Sequence, residues 1–593
     1  MAWTLIRGGT VVDGTGSPPF QADVCIRDGV IDAVGPDLSA PEGAQVMDAA
    51  GKLITPGFIN MHSHSDCSAA MYPNMESTLG QGITTEFAGH CGLGVAPVQH
   101  SWLYMFPEKK AFTKVMPEPP GGINPYNAYL VPTQRLREPF AQTYGQELDW
   151  TTYGQFLEHL RRVGLGANLA VVAGQAQIRL QAMGTDYHRD ATETEIAAME
   201  GALSEAMDGG ALGLSLGLDY EPGLFAGREE LLRLMKLVAA RGGIVTAHTR
   251  SRSHPYYGHA QSFLDGLREF LDLGRESGVR IHVSHIQNGY NVTPAHDGLI
   301  RAAVAKTLEE LDRARQAGVN VTWDVIPKYA YYPMAASLFQ PYVERCGGCA
   351  AFSRALTLPD FRRQVVEEIR TGRHPSQGVF TRFDPQADPA WDTRYRFTRV
   401  QRAGCVGKTI REAAQGADSL ELLLDVLTED PYAAMISLGR RPEHTPDRDA
   451  FVARTEATIG LDTWTLDYDA ALSEGDLPLE CGSPATYEGM TVFLETERDK
   501  GAAIEETIRK LTGNAARTLG LTDRGFVSQG LAADLLVLDW EHFSARENLA
   551  DPRHGPQGLD YVLVAGQIAV DHGVHTHVRS GTVLGPEHRK GEN

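Results

Sequence analysis

What most constrains this chain is an alternation. Short apolar, β-branched runs at 57–64, 83–90, 167–175, 211–219, 243–250, 280–287, 320–327 and 457–462 are separated by longer stretches. Most of those stretches read as helices, at 192–207, 228–241, 260–276, 299–316 and 503–519. The first opens on Thr192 with Glu195 three residues later, a capping-box pair. Strand followed by helix, repeated, predicts a parallel sheet, because parallel neighbours need a crossover connection. Eight such units predict an α/β fold of the (β/α)8 TIM-like barrel class. The active site of such a barrel sits at the C-terminal ends of its strands.

The two ends of the chain break this rhythm in the same way. Residues 1–56 and 526–593 read as short strands split by Gly and Asp turns. Together they predict a small β-sandwich domain built from both termini, since chain ends often lie close together. Residues 57–525 then form the barrel, with insertions at about 98–150 and 329–455 that are longer than ordinary loops. Loops of that length on a barrel act as lids or specificity elements, or else as oligomer contacts.

Composition removes several functions. Lys plus Arg is 54 against 75 Asp plus Glu, a formal charge of −21. That balance argues against a nucleic-acid partner and against polybasic membrane attachment. No apolar run is long enough for a spanning helix, and the opening MAWTLIRGGTVVDG has no signal-peptide pattern. Seven scattered Cys do not make a disulfide scaffold, so a reducing cytoplasm is the expected home. Cys346 and Cys349 form a lone CxxC with no second ligand pair nearby, and read as loop thiols.

The chemistry lies at the predicted strand ends. The first strand finishes His62-Ser63-His64. Residues i and i+2 share a strand face, so both imidazoles point into the barrel mouth. His90 and Cys91 close the second strand, His248 the fifth, His285 the sixth and Asp462 the eighth. One His in such a place is as often a hydrogen-bonded core residue as a ligand. The set, at matching positions on five strands, points to a metal centre. His575 and His577 repeat the HxH spacing without such company and read as a solvated strand.

The motifs PGFINMHSHSD, QGITTEFAGHCGLGVAP, GLDYEPGLFA, AHTR, VSHIQ, IGLD, TGNAARTLGLTDRG and GLAADLLVLD together span about residues 5–570. On them the chain resembles the amidohydrolase superfamily, and within it the D-aminoacylase (N-acyl-D-amino-acid deacylase) family. The resemblance implies a zinc-dependent hydrolase that deacylates an N-acyl-D-amino acid or related N-acyl compound by metal-activated hydroxide. It implies that His62, His64 and Asp462 bind one metal and that Cys91, His248 and His285 hold the other, with Cys91 as the thiolate bridge. Other branches use a carboxylated lysine there; here the third and fourth strands end in Gln175 and Ser215. The resemblance further implies one tight Zn2+ and a second that is weaker or absent, and a catalytic role for Asp462 in proton transfer. Asp66 either orients His64 or caps a loop.

The substrate side departs from the family pattern. Tyr220 matches a substrate-side Tyr. Gln287 stands where the family has Lys, Lys328 follows Ile326-Pro327 where the family reads YPY, and Arg252 replaces a Glu. Arg250, Arg252 and Lys328 therefore form an expected basic wall selecting an acidic or unusual substrate, unless they pair with loop acids such as Asp219 or Glu221. The partner is a small-molecule N-acyl or amide substrate, and the assembly a homo-oligomer, as is common for such barrels. The alternatives are an amidohydrolase acting on a cyclic amide or a specialised metabolite, a deaminase, and a metal-free scaffold.

Overall fold

The computed structural model describes residues 2–104, 115, 129–250, 263–286, 297–327, 334–373, 385–386, 389–437, 446–469, 484–548 and 552–589. All eight expected strand runs contain a parallel strand: Phe58–Ser63 (β1), Ile83–Ala88 (β2), Asn168–Val171 (β3), Gly213–Gly217 (β4), Ile244–His248 (β5), Arg280–Val283 (β6), Val321–Val325 (β7) and Thr458–Ile459 (β8). β1, β2 and β3 lie side by side in one parallel sheet, and β4 to β8 in another. Hydrogen bonds also span the two places where these sheets meet. Leu212 N donates to Val171 O at 2.7 Å before β4, and past β8 Asp462 N donates to His62 O at 2.9 Å and His64 N to Thr463 O at 2.7 Å.

The helices fall where the periodicity put them. Glu193–Asp208 (α1) is capped by Thr192, whose side chain accepts from Glu195 N while the Glu195 carboxylate returns the favour. Arg228–Ala240 (α2), Phe263–Ser277 (α3) and Asp297–Gln316 (α4) follow. The single helix expected at 503–519 is two, Ile504–Leu511 (α5) and Gly513–Leu519 (α6). The break is at Thr512, and a Cβ on Gly513 would lie 2.2 Å from Gly14 O. The close approach of the N-terminal segment therefore sets the kink.

The two chain ends share one sheet. Its order is Val574–His575, Gln567–Asp571, Leu559–Val564, Leu535–Leu538, Leu53–Pro56, Trp3–Val11, Phe20–Arg27 and Val30–Gly35, with Gln45–Asp48 pairing on Trp3–Val11. Leu53–Pro56 runs antiparallel to Leu535–Leu538, which joins N-terminal to C-terminal strands. Its buried cluster mixes both ends, with Ile6, Val24 and Ile54 against Leu535, Val537 and Leu563.

The chain then re-enters the larger unit. Val583–Leu584 pairs parallel with β3, and Leu584 packs with Ile59, Phe87, Ala170, Leu212 and Ile244.

The long insertion is not a loop. Its described part carries a hairpin of Tyr395–Arg399 with Ala434–Ser437 and five helices around a separate core that includes Phe339, Phe352, Phe397, Leu423 and Met435. Cys346 and Cys349 are accordingly not loop thiols: they end and begin consecutive helices, and neither is in a disulfide. His575 is not solvated either; its ring packs on Tyr468 at 5.3 Å. No described helix is long and apolar enough to cross a membrane.

Candidate metal centre

The donors of the five strand ends meet. His62, His64, Cys91 and Asp462 form one group, and Cys91, His248 and His285 a second, with the donor atoms of each group within 4.8 Å of one another. Cys91 belongs to both. Its Sγ lies 3.4 Å from His62 Nε2, 3.5 Å from His285 Nε2 and 3.9 Å from His248 Nδ1. Asp462 Oδ1 lies 3.0 Å from His64 Nε2 and 3.4 Å from His62 Nε2. The Asp462 side chain is 33 % exposed, whereas His62 is wholly buried, so Asp462 is the donor that faces the mouth.

Local backbone geometry presents these atoms. Cys91, His285 and Asp462 have φ of 58°, 38° and 54°, the left-handed region. A non-glycine residue there costs on the order of 1 kcal/mol, so surrounding bonds must impose it. The Cys91 turn shows how. Asp66 Oδ1 accepts from Gly89 N at 2.9 Å, Ser215 Oγ accepts from Gly92 N at 2.9 Å and donates to Gly89 O, and the Tyr220 hydroxyl donates to Cys91 O at 2.7 Å. A Cβ on Gly89 would sit 2.0 Å from Val172 O, and one on Gly92 2.6 Å from Gly217 N. Only glycines fit on either side of His90-Cys91.

Electrostatics favour charged donors. Burial alone would raise the Cys91 thiol, but His62, His285 and His248 outweigh it and hold Cys91 well below its ordinary value. Burial likewise raises Asp462, and its imidazole neighbours hold it well below the usual carboxylate range. His64 is pushed up to about 9 because its hydrogen bond to Asp462 and the nearby Cys91 overcome burial. Imidazoles, a thiolate and a carboxylate crowded like this repel or pair until a cation replaces the protons. The set is the mixed N, S and O set that zinc takes.

Behind the donors lies a polar layer that sequence reading missed. Asp324 Oδ1 is 3.4 Å from His62 Nδ1 and 3.0 Å from His282 Nε2. Asp219 Oδ2 is 3.5 Å from His248 Nε2. Asn60 Nδ2 donates to Glu86 at 2.8 Å, and Asn60 Oδ1 accepts from Leu461 N at 2.9 Å. One signal was available. Asp324 is an acid inside a buried parallel strand, where apolar residues are the rule.

Several expectations change. Asp66 does not bind His64, whose Nδ1 has no partner among the described residues; it caps the Cys91 turn. Tyr220 stands against His248, ring centres 5.1 Å apart, but its hydroxyl serves the Cys91 carbonyl. Arg250 is not free to form a wall. Its guanidinium donates to Leu224 O at 2.5 Å and Ala226 O at 2.6 Å and pairs with Glu269 at 3.0 Å, so it fastens the turn after Tyr220 to α3. Its acid is neither Asp219 nor Glu221. Arg252, Gln287 and Lys328 lie outside the described residues.

Parallel strands that deliver imidazoles, a thiol and a carboxylate to one end define a class, the metal-centred α/β hydrolase folds. The comparisons narrow it. A model of the Amidohydrolase family matches residues 45–325. An N-acyl-D-glutamate deacylase and a D-aminoacylase, both of Alcaligenes xylosoxydans xylosoxydans, are similar at 27% identity over 586 residues and 25% over 583. The first alignment covers 98% of this chain and 96% of the relative, the second 98% and 97%. A crystal structure of N-acyl-D-glutamate deacylase from Bordetella bronchiseptica, complexed with zinc and a phosphonate inhibitor, superposes with a TM-score of 0.68 at 24% identity, covering 98% of this chain and 100% of that one. At that identity the superposition speaks for the fold. The chain is thus similar to the Amidohydrolase family over residues 45–325 and to N-acyl-D-amino-acid deacylases over nearly its full length.

Proposed function

We propose that this chain is a zinc-dependent deacylase that hydrolyses the linear amide of an N-acyl-D-amino acid or a related N-acyl compound. The observation that carries the reading is the convergence of six donors in two groups that share Cys91. The relatives whose printed activities are N-acyl-D-glutamate deacylase and D-aminoacylase support the substrate class. Cys91, His248 and His285 would hold the tight ion, and His62, His64 and Asp462 a weaker one. Bound there, zinc supplies Lewis acidity for the amide carbonyl and for the attacking water.

The protein's own part is proton traffic and placement. Asp462 is ionised and reaches the mouth, so it can take a proton from water and hand it to the leaving nitrogen. Tyr220 and Ser215 keep Cys91 in place, and Arg250 keeps Tyr220's turn in place. The proposed basic wall then rests on Arg252 and Lys328, and Gln287 stands in the sequence where the family pattern has lysine. Around this site we take residues 57–525 as a closed (β/α)8 barrel and 1–56 with 526–593 as a β-sandwich; the hydrogen bonds that bridge the two parallel sheets support closure. A cytoplasmic, homo-oligomeric enzyme remains our reading of location and assembly, the first supported by the free thiols.

The test is amide hydrolysis by the zinc-loaded protein across N-acetyl-D- and N-acetyl-L-amino acids, acidic ones included. Turnover confined to D-substrates is the expected result. Bound zinc with no turnover on any of them overturns the linear-amide reading and transfers the assignment to cyclic amides or specialised metabolite amides.

A further inference from the structure

His62 reaches two of the donors at once, with Nε2 3.4 Å from Cys91 Sγ and 3.4 Å from Asp462 Oδ1. Its other nitrogen points away from the mouth, 3.4 Å from Asp324 Oδ1. The same carboxylate oxygen lies 3.0 Å from His282 Nε2, and His282 Nδ1 lies 2.8 Å from Thr322 Oγ1. His62, His282 and Asp324 are all fully buried. Asp324 is in neither donor group. Its second oxygen has no hydrogen-bond partner and rests on Gly460, where a Cβ would come within 2.5 Å of it and 2.4 Å of His62 Cβ. Gly460 thus leaves room for the carboxylate and the ring to stand side by side.

A buried carboxylate with no Lys or Arg paired to it among the described residues is costly to keep. Here it has one geometric effect that an apolar residue would not have. An acceptor at Nδ1 places the neutral ring's proton there, which leaves the Nε2 lone pair directed at Cys91 and Asp462. The same carboxylate oxygen faces His282 Nε2 and so draws a proton of that ring to Nε2, while the Thr322 hydroxyl, 2.8 Å from Nδ1, holds the ring from its other side.

We propose that Asp324, held by His282 and Thr322, is a positioning residue that fixes the tautomer and direction of the His62 ring and so sets the affinity of the centre for its ion. The proposal rests on the metal reading given above.

The experiment titrates the full-length apo protein with Zn2+ against a chromophoric chelator, and separately with Co2+ while the visible spectrum is recorded. Asp324→Asn is expected to weaken Zn2+ binding at the site containing His62 by about 10- to 100-fold and to shift the cobalt ligand-field bands. The thiolate-to-cobalt charge-transfer band of Cys91 should persist. Thr322→Val, a milder change at the far end of the chain of bonds, should act in the same direction with a smaller size. An Asp324→Asn protein with wild-type zinc affinity and cobalt spectrum overturns the proposal, whatever happens to its melting temperature. Should Asp324→Asn not fold, Thr322→Val decides: weakened binding supports the proposal and unchanged binding overturns it. A wild-type chain that binds neither ion overturns the metal reading itself, and this inference with it.

Discussion

At the scale of single residues, the centre depends on conformations that the chain would not adopt alone. Cys91 at φ 58° is held by Asp66, Ser215 and Tyr220 through backbone bonds on both sides of it. Gly89→Ala places a methyl group 2.0 Å from Val172 O at a φ of 87°, so it is expected to cost about 3 kcal/mol or more and to abolish zinc retention. Chemical denaturation with metal analysis would detect both effects. Asp462→Asn should leave zinc on Cys91, His248 and His285 and lower turnover by about 10³-fold; equal turnover in the two proteins would remove Asp462 from proton transfer. Lys328→Ala should lose turnover with metal content intact; unchanged kinetics would remove Lys328 from the proposed basic wall. Strand alternation and strand ends made seven donor-type residues legible in the sequence; the structure gathers six of them into the two groups and leaves His90 in neither. The work of Tyr220 and Arg250 was not legible, since it depends on which turn carbonyl comes within 3 Å, and that is fixed only by packing; for Asp66 the loop-capping alternative was legible and is the one observed.

At the scale of elements, β1 and β2 are tied by a buried acid. Glu86 on β2 accepts from Asn60 on β1 at 2.8 Å and from Thr78 at 2.9 Å. Burial raises its carboxyl from 4.5 to about 7, against the pull of those bonds. The folded protein therefore keeps this proton at pH values where the unfolded chain has released it. Stability from this group is greatest below about pH 4.5 and falls as pH rises toward 7, by about 3 kcal/mol in all, then stays level. Urea unfolding at several pH values should show that decline, and Glu86→Gln should flatten it. Strand and helix positions were readable because period 2 and period 3.6 survive in the sequence. The split between α5 and α6 was not, because it is imposed by Gly14 from the other end of the chain. The folded unit inside the long insertion was equally hidden. Its core forms from hairpin and helix residues up to about a hundred positions apart, such as Phe339 with Met435.

At the scale of the whole molecule, the last strand belongs to two places at once in the chain's history. Val583 and Leu584 are buried beside β3, Arg579 Nε donates to Asn74 Oδ1 at 2.9 Å, and Gly581 passes so close that a Cβ would lie 2.1 Å from Ala167 O. Removing residues 579–593 gives up the burial of two large aliphatic side chains, about 4 kcal/mol. Calorimetry should show a lower melting temperature, and a truncated protein as stable as the full chain would count against this packing. The sheet built from both ends has the same dependence, since Leu53–Pro56 finds its partner only at Leu535–Leu538. A ribosome emits these segments in order, first to last. The early strands must therefore wait, with an edge unpaired and apolar side chains uncovered, until Leu535–Leu538 has emerged about 480 residues later. Synthesis thus includes a long interval of exposure that closes only when the distant partner strand arrives.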